Sequence, residues 1–232
     1  EIAQCLVGSE MCIRDRENIV LIASFIISLI IAILYSSLSV WIIFFSSIFG
    51  IISSFFSSQG KWLGFVFDII SYAIYIYTCL TQLYYGEMIL SVVIIVLHVL
   101  SLVQWKKHEE NGVVVVDDLS KKMLISSLII SIIGVVGYTA VLWFINSEYP
   151  ILNGLATVVY LLKCFYSYKR SVWQFGCYLV YEIIFIILWL LALENGEMGG
   201  YIFLVGGISE LIFCVFGLIN FNKLKIKQNL KK

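Results

Sequence analysis

Eight long apolar runs follow one another along this chain, with only short polar breaks between them. Each approaches the ~20 residues that a helix needs to cross ~30 Å of hydrocarbon. Lipid offers the backbone no hydrogen bonds, so a spanning segment must be a helix or part of a closed barrel. Barrel strands would be about 10 residues long with strict alternation; these runs are longer and predominantly apolar. The spans read as approximately 19–35, 40–57, 62–82, 88–104, 123–145, 151–168, 172–193 and 200–220. Composition agrees: 61% of the residues are hydrophobic and 13% are charged, and the mean hydropathy is +1.00. A soluble domain of 232 residues could not bury that much apolar surface. The fold class is therefore an all-α polytopic membrane protein.

The net charge is zero, but its distribution is one-sided. Lys61, Lys106, Lys107, Lys121, Lys122, Lys169 and Arg170 fall in breaks on one side of an eight-helix chain, as do the lysines from Lys223 to Lys232. The opposite breaks carry Glu87, Glu148, Glu194 and Glu197, and neither Lys nor Arg. The positive-inside rule then puts both termini in the cytoplasm. Pro150, the single proline, sits in a break, where its missing N–H costs least. Residues 1–16 lack the basic start and apolar middle of a signal peptide and are set aside as a non-native segment. Residues 17–220 form one transmembrane domain, and 221–232 a basic cytoplasmic tail.

The chain also repeats itself. Lys61-Trp62 opens a run that ends at Gly86-Glu87-Met88; Arg170-Ser171-Val172-Trp173 opens another that ends at Gly196-Glu197-Met198, 110 residues on. That spacing maps 40–57 onto 151–168 and 62–82 onto 172–193. A first triple (40–104) and a second (151–220) are joined by a linker helix (123–145), with one N-terminal helix ahead. An odd linker restores direction, so the copies run parallel. Parallel repeats of spanning helices are a transporter plan, with the solute site between the copies.

Charge inside the membrane costs ~2.5–3.5 kcal/mol per residue on insertion scales. Asp68, Lys163, Glu182 and Glu210 nonetheless fall within predicted spans. At ~1.5 Å per residue, Glu182 and Glu210 lie roughly 15 Å from their helix ends, near the midplane. His98 and Tyr72, the repeat partner of Glu182, reach the same depth. Lys163 is near the cytoplasmic end and is expected to snorkel there. Asp68, six residues into its span, is either wet or a pathway group. Deep aromatics such as Tyr72, Tyr75, Tyr77, Tyr181 and Trp189 offer stacking surfaces for a flat or cationic solute. The six cysteines have no paired spacing and no companion histidines, so no metal or cofactor is expected. No nucleophile elbow, zinc motif or nucleotide-binding glycine loop occurs, and the chain is not read as an enzyme.

The stretch from Trp41 to Trp105 resembles the nicotinamide riboside transporter (PnuC) family. The likeness lies in WIIFFSSIFGIISS, SQGKW, Tyr75-Ile76-Tyr77, LYYGEMIL and Gln104-Trp105. In the second half it lies in Tyr168-Lys169-Arg170, Trp173 and Gly217 to Phe221. The resemblance implies a SWEET-like 3+1+3 bundle that carries vitamin-type nucleosides by facilitated diffusion, with phosphorylation in the cytoplasm trapping the solute. It also implies ligand contacts near Trp173, which matches the first tryptophan of a W-x-x-W pattern whose second position is Gly176 here, and near Glu210 on the last helix.

These readings converge on a carrier for nicotinamide riboside or a similar vitamin or nucleoside. A thiamine or deoxynucleoside carrier of the same family and a non-transporting assembly or sensor protein are the alternatives. The expected site has Glu182, Glu210 and His98 as a polar wall and Trp173, Tyr72 and Tyr181 as a stacking wall. The expected partners are the lipid bilayer and the small solute, without nucleic acid; a homo-oligomer is compatible with this reading.

Overall fold

The computed structural model describes residues 2–81, 85–194 and 199–230, with side chains from residue 15 onward except those of 81 and 85–87. Among the described residues, eight helices are long and apolar enough to cross a membrane. They are α1 (Ile2–Leu34), α2 (Leu38–Ser58), α3 (Leu63–Thr81), α4 (Tyr85–Lys107), α5 (Lys121–Phe144), α6 (Pro150–Tyr168), α7 (Trp173–Glu194) and α8 (Gly200–Asn229). Each predicted span is met by a helix. The breaks begin with local chemistry. Ser37 caps α2 by accepting from the Val40 N–H, and Ser120 caps α5 by accepting from the Met123 N–H. Pro150 stands in the first turn of α6, where no N–H is missed.

Two sequence boundaries move. Helix α8 continues to Asn229, so the expected tail from 221 is helical up to that residue. The cause is apolar: Phe221 is fully buried against Trp105 and Phe175, and Leu224 packs on the same cluster. Helix α1 includes residues 2–16, which the sequence reading set aside. It is tied to the bundle by buried Glu17, which accepts from Ser58 Oγ (3.3 Å), Gln59 Nε2 (3.0 Å) and Asn220 Nδ2 (3.0 Å). The end of the second echo, at 196–198, lies outside the described residues.

The repeat is legible in the backbone. Gly60 ends α2 in the left-handed region (φ 75°), and Arg170, 110 residues on, ends α6 there too (φ 56°). The Lys61 N–H donates to Phe56 O (3.1 Å) and the Gly60 N–H to Ser57 O (3.0 Å). The Ser171 N–H donates to Tyr166 O (3.0 Å) and the Arg170 N–H to Ser167 O (2.9 Å). Both turns are thus the same paired closure of a helix C-terminus. Packing follows the repeat: α2 meets α8 and α4 meets α6, so each triple's first helix packs on the other's third. The ends of α1 and α5, Leu34 and Phe144, keep the 110-residue spacing as well. Yet α1 lies in the seam between α2 and α8, whereas α5 leans chiefly on α6 and shows apolar side chains such as Ile129, Ile133 and Phe144 outward.

Small polar side chains bind the helices where lipid supplies no hydrophobic drive. Ser71 Oγ donates to Ser46 O (2.8 Å) while Ser46 Oγ donates to Ser71 O (3.1 Å), joining α2 to α3. Ser24 and Ser209 hydroxyls meet at 2.6 Å between α1 and α8. Across the triples, Trp105 Nε1 donates to Ser167 O (2.7 Å) and Gln104 Nε2 to the Tyr168 hydroxyl (3.1 Å). The Gln-Trp pair that closes the first triple therefore fastens it to the second.

The sequence shows only a polar break between α4 and α5. That break carries a short hairpin, β1 (Glu109–Glu110) and β2 (Val113–Val114), turning through Asn111 and Gly112 with φ of 52° and 80°. An Asn-Gly pair suits that turn because both central residues need positive φ. Beyond it the chain straps the basic end. The Val114 N–H donates to Gly60 O (2.9 Å) and the Asp117 N–H to Arg170 O (3.2 Å), so one loop holds both repeat turns. The Val114 side chain is buried with Phe65, Trp105, Phe175 and Phe221.

Candidate functional site

A cavity of about 20 Å³ lies between the triples. The first triple lines it with Ser53, Ser57, Phe65 and Asp68, among others, and the second with Lys163, Ser167, Phe175 and Tyr178. These are four pairs of positions, each 110 residues apart. A cavity lined by equivalent positions of two parallel copies sits on the axis that relates them. Its depth follows from the helices. Asp68 and Tyr178 are each five residues past the starts of α3 and α7, and Lys163 is five before the end of α6. At ~1.5 Å per residue that is roughly 8 Å in from the basic end.

Charge is concentrated here. The Lys163 ammonium lies 3.9 Å from Asp68 Oδ2, and His98 Nδ1 lies 3.4 Å from the same oxygen. Lys163 is only 7% exposed, so it does not snorkel; Asp68 is equally buried and is not a rim residue. The reason is mutual: each neutralises the other where an unpaired charge would be costly. The ammonium also lies over the Tyr160 ring at 4.7 Å and the Tyr178 ring at 4.6 Å. Gln174, from the first turn of α7, accepts from Ser167 Oγ (2.8 Å) through Oε1. Its buried Nε2 has no hydrogen-bond partner among the described residues.

A second layer sits about one helical turn deeper. Glu210 on α8 accepts from the Tyr178 hydroxyl and from Ser54 Oγ (3.3 Å). Gly50 makes room for it: a Cβ there would lie 2.9 Å from Glu210 Oε1. Tyr72 meets His98 edge-on at 5.8 Å, Tyr181 meets Tyr160 at 4.7 Å and stacks on Tyr178 at 6.0 Å. From Tyr181 the rings continue along α7 through Phe185 to Trp189, which stacks on Phe203 at 4.3 Å. An aromatic ladder thus runs from the acidic end towards the charged cavity.

Of the six expected residues, His98, Tyr72, Tyr181 and Glu210 gather around Tyr160 and Tyr178. Glu182 is buried but faces α8 at Gly207, and its Oε2 has no hydrogen-bond partner among the described residues. Trp173 is not brought to the site: it stands at the start of α7, 54% exposed. It is not among the residues that line the cavity, whereas Gln174 and Phe175 next to it are. Sequence reasoning missed Asp68 and Lys163 as a pair, and also Gln174, Tyr160 and Tyr178. The repeat held the signal. Ser53 with Lys163, Ser57 with Ser167 and Asp68 with Tyr178 are polar in both copies.

A duplicated bundle of spanning helices with a charged, aromatic cavity on its axis defines the class: a polytopic membrane transporter. Residues 40–223 match the nicotinamide mononucleotide transporter family, and the chain belongs to that family. It is 28% identical over 192 residues to the nicotinamide riboside transporter PnuC of Neisseria mucosa, covering 79% of this chain and 73% of that protein. Its structure is similar to a crystal structure of the vitamin B3 transporter PnuC, with a TM-score of 0.77 and 25% identity over 91% of this chain and 92% of the other.

Proposed function

We propose that this protein carries nicotinamide riboside across a bacterial inner membrane, down its gradient, with both termini in the cytoplasm. The observation that carries this is the cavity on the repeat axis, where Asp68 and the rings of Tyr160 and Tyr178 make a site for an organic cation. A pyridinium ring gains ~0.5–2 kcal/mol from each aromatic face it meets. Ser53, Ser57 and Ser167 supply hydroxyls for a ribose, and the unpaired Gln174 Nε2 supplies a donor. The aromatic ladder gives the flat ring a stacked approach from the acidic side.

Uptake of labelled nicotinamide riboside, set against the mononucleotide, thiamine and deoxynucleosides, tests this in cells lacking their own carriers. Saturable riboside uptake is expected, and vesicles without ATP are expected to equilibrate the solute. Preference for another member of the panel would reassign the substrate. No uptake of any member would favour a non-transporting role.

A further inference from the structure

The Lys163 ammonium occupies the place that a cationic solute would take. Tyr160 and Tyr178 flank it at 4.7 and 4.6 Å, and Asp68 closes a third side at 3.9 Å. The Tyr160 hydroxyl accepts from it at 3.4 Å. Two rings, a carboxylate and a hydroxyl are the elements of an aromatic cage for an organic cation. The cavity beside them, about 20 Å³, has room for about one water. A pyridinium riboside cannot enter unless something yields. The rings are fixed: Tyr160 and Tyr178 are buried in one cluster with Ile94, Cys164 and Cys214. Lysine has an unbranched, flexible stem, and it is the member able to withdraw.

We propose that Lys163 is an internal stand-in for the solute's positive charge, filling the Tyr160–Tyr178–Asp68 cage in the empty carrier and leaving it when a pyridinium-type solute binds. The proposal rests on the riboside reading and deepens it. It accounts for a lysine that is costly to bury. With the exchange, Asp68 keeps a counter-charge in both the empty and the loaded carrier, and a buried unpaired carboxylate is avoided. It also makes Lys163 a specificity-determining residue. A cation replaces the charge it displaces; a neutral solute of the same shape leaves Asp68 unpaired or must bind with the lysine in place.

The test is calorimetric binding to the purified full chain in detergent, with nicotinamide riboside as the cation and 1,4-dihydronicotinamide riboside as its uncharged counterpart. Lys163→Met is expected to bind the cation about tenfold more tightly than the native protein. Lys163→Arg, whose planar guanidinium stacks better between rings, is expected to bind it a few-fold more weakly. The uncharged riboside is expected to change less than about threefold in either variant. Should Lys163→Met not fold, Lys163→Met with Asp68→Asn removes both charges, and its preference for the cation is expected to vanish. Weaker or unchanged cation binding by Lys163→Met overturns the proposal, as does an equal shift for both ribosides or a double variant that keeps the native preference. If the native chain binds neither riboside, the substrate reading fails and the proposal falls with it; native binding with the wrong order of variants overturns the proposal alone.

Discussion

The two triples share a backbone plan and divide the chemistry between them. Where a position shapes the fold, the copies keep like residues: Phe65 and Phe175 pack in one cluster, and Ser57 and Ser167 line the same wall. At other positions in and around the cavity they differ. Ser53 stands opposite Lys163, Asp68 opposite Tyr178, Gly50 opposite Tyr160 and Tyr72 opposite Glu182. The first copy gives Asp68 and the open space at Gly50; the second gives Lys163 and the rings of Tyr160 and Tyr178. Neither triple alone could hold its buried charge, because Asp68 and Lys163 come from different copies. Duplication thus provides the frame, and divergence at a few axial positions provides the site.

The largest effect should come from cutting that exchange between copies. Asp68→Asn leaves the Lys163 ammonium buried without its partner, which typically costs 3–5 kcal/mol. Its thermal unfolding in detergent is expected at markedly lower temperature, with uptake reduced at least a hundredfold. The equivalent change in the second copy, Tyr178→Phe, keeps the ring and loses the hydroxyl's bonds to Glu210 and Ser54. It is expected to fold normally, with uptake weakened about tenfold. Equal losses in both variants would show that the copies share the burden evenly.

The two carboxylates of the second triple sharpen the contrast. Glu210 is bound to Tyr178 and Ser54 in the deeper layer, whereas Glu182 faces Gly207. In concentration-dependent uptake, Glu210→Gln is expected to raise the apparent constant about tenfold, or ~1.4 kcal/mol. Glu182→Gln is expected to raise it less than threefold, and a larger change than that of Glu210→Gln would move the solute towards α8. A milder perturbation reaches the same carboxylate from the first copy. Gly50→Ala puts a methyl 2.9 Å from Glu210 Oε1, and a two- to fivefold rise in the uptake constant is expected.

The repeat turns should give the smallest effects. Gly60→Ala forces a side chain into the left-handed region, at a cost of ~1–2 kcal/mol. Arg170 already bears that strain, and Arg170→Gly relieves it while losing an exposed ion pair with Asp117, worth ~0–1 kcal/mol. Thermal unfolding is expected to fall for Gly60→Ala and to stay within error for Arg170→Gly. Trp173→Ala is expected to leave uptake within twofold, because its ring lies outside the cavity; a tenfold loss would return it to the site.

The amino-acid sequence by itself determined the eight spans, their order and the duplication. These depend on run length, on short breaks and on a fixed spacing, all of which are local or periodic properties. It also marked His98, Tyr72, Tyr181 and Glu210 by depth, since ~1.5 Å per residue converts position into height within the bilayer. Depth does not give direction around a helix. Glu182 and Glu210 share a height, yet one meets Gly207 and the other Tyr178. Trp173 and Gln174 are neighbours in sequence, yet one faces outward and the other lines the cavity. Only the packing of α2 on α8 and of α4 on α6 decided which faces meet. It also made Asp68 and Lys163, 95 residues apart in the chain, into a single buried pair. A buried charge is settled by the partner that neutralises it, and that partner is chosen in three dimensions.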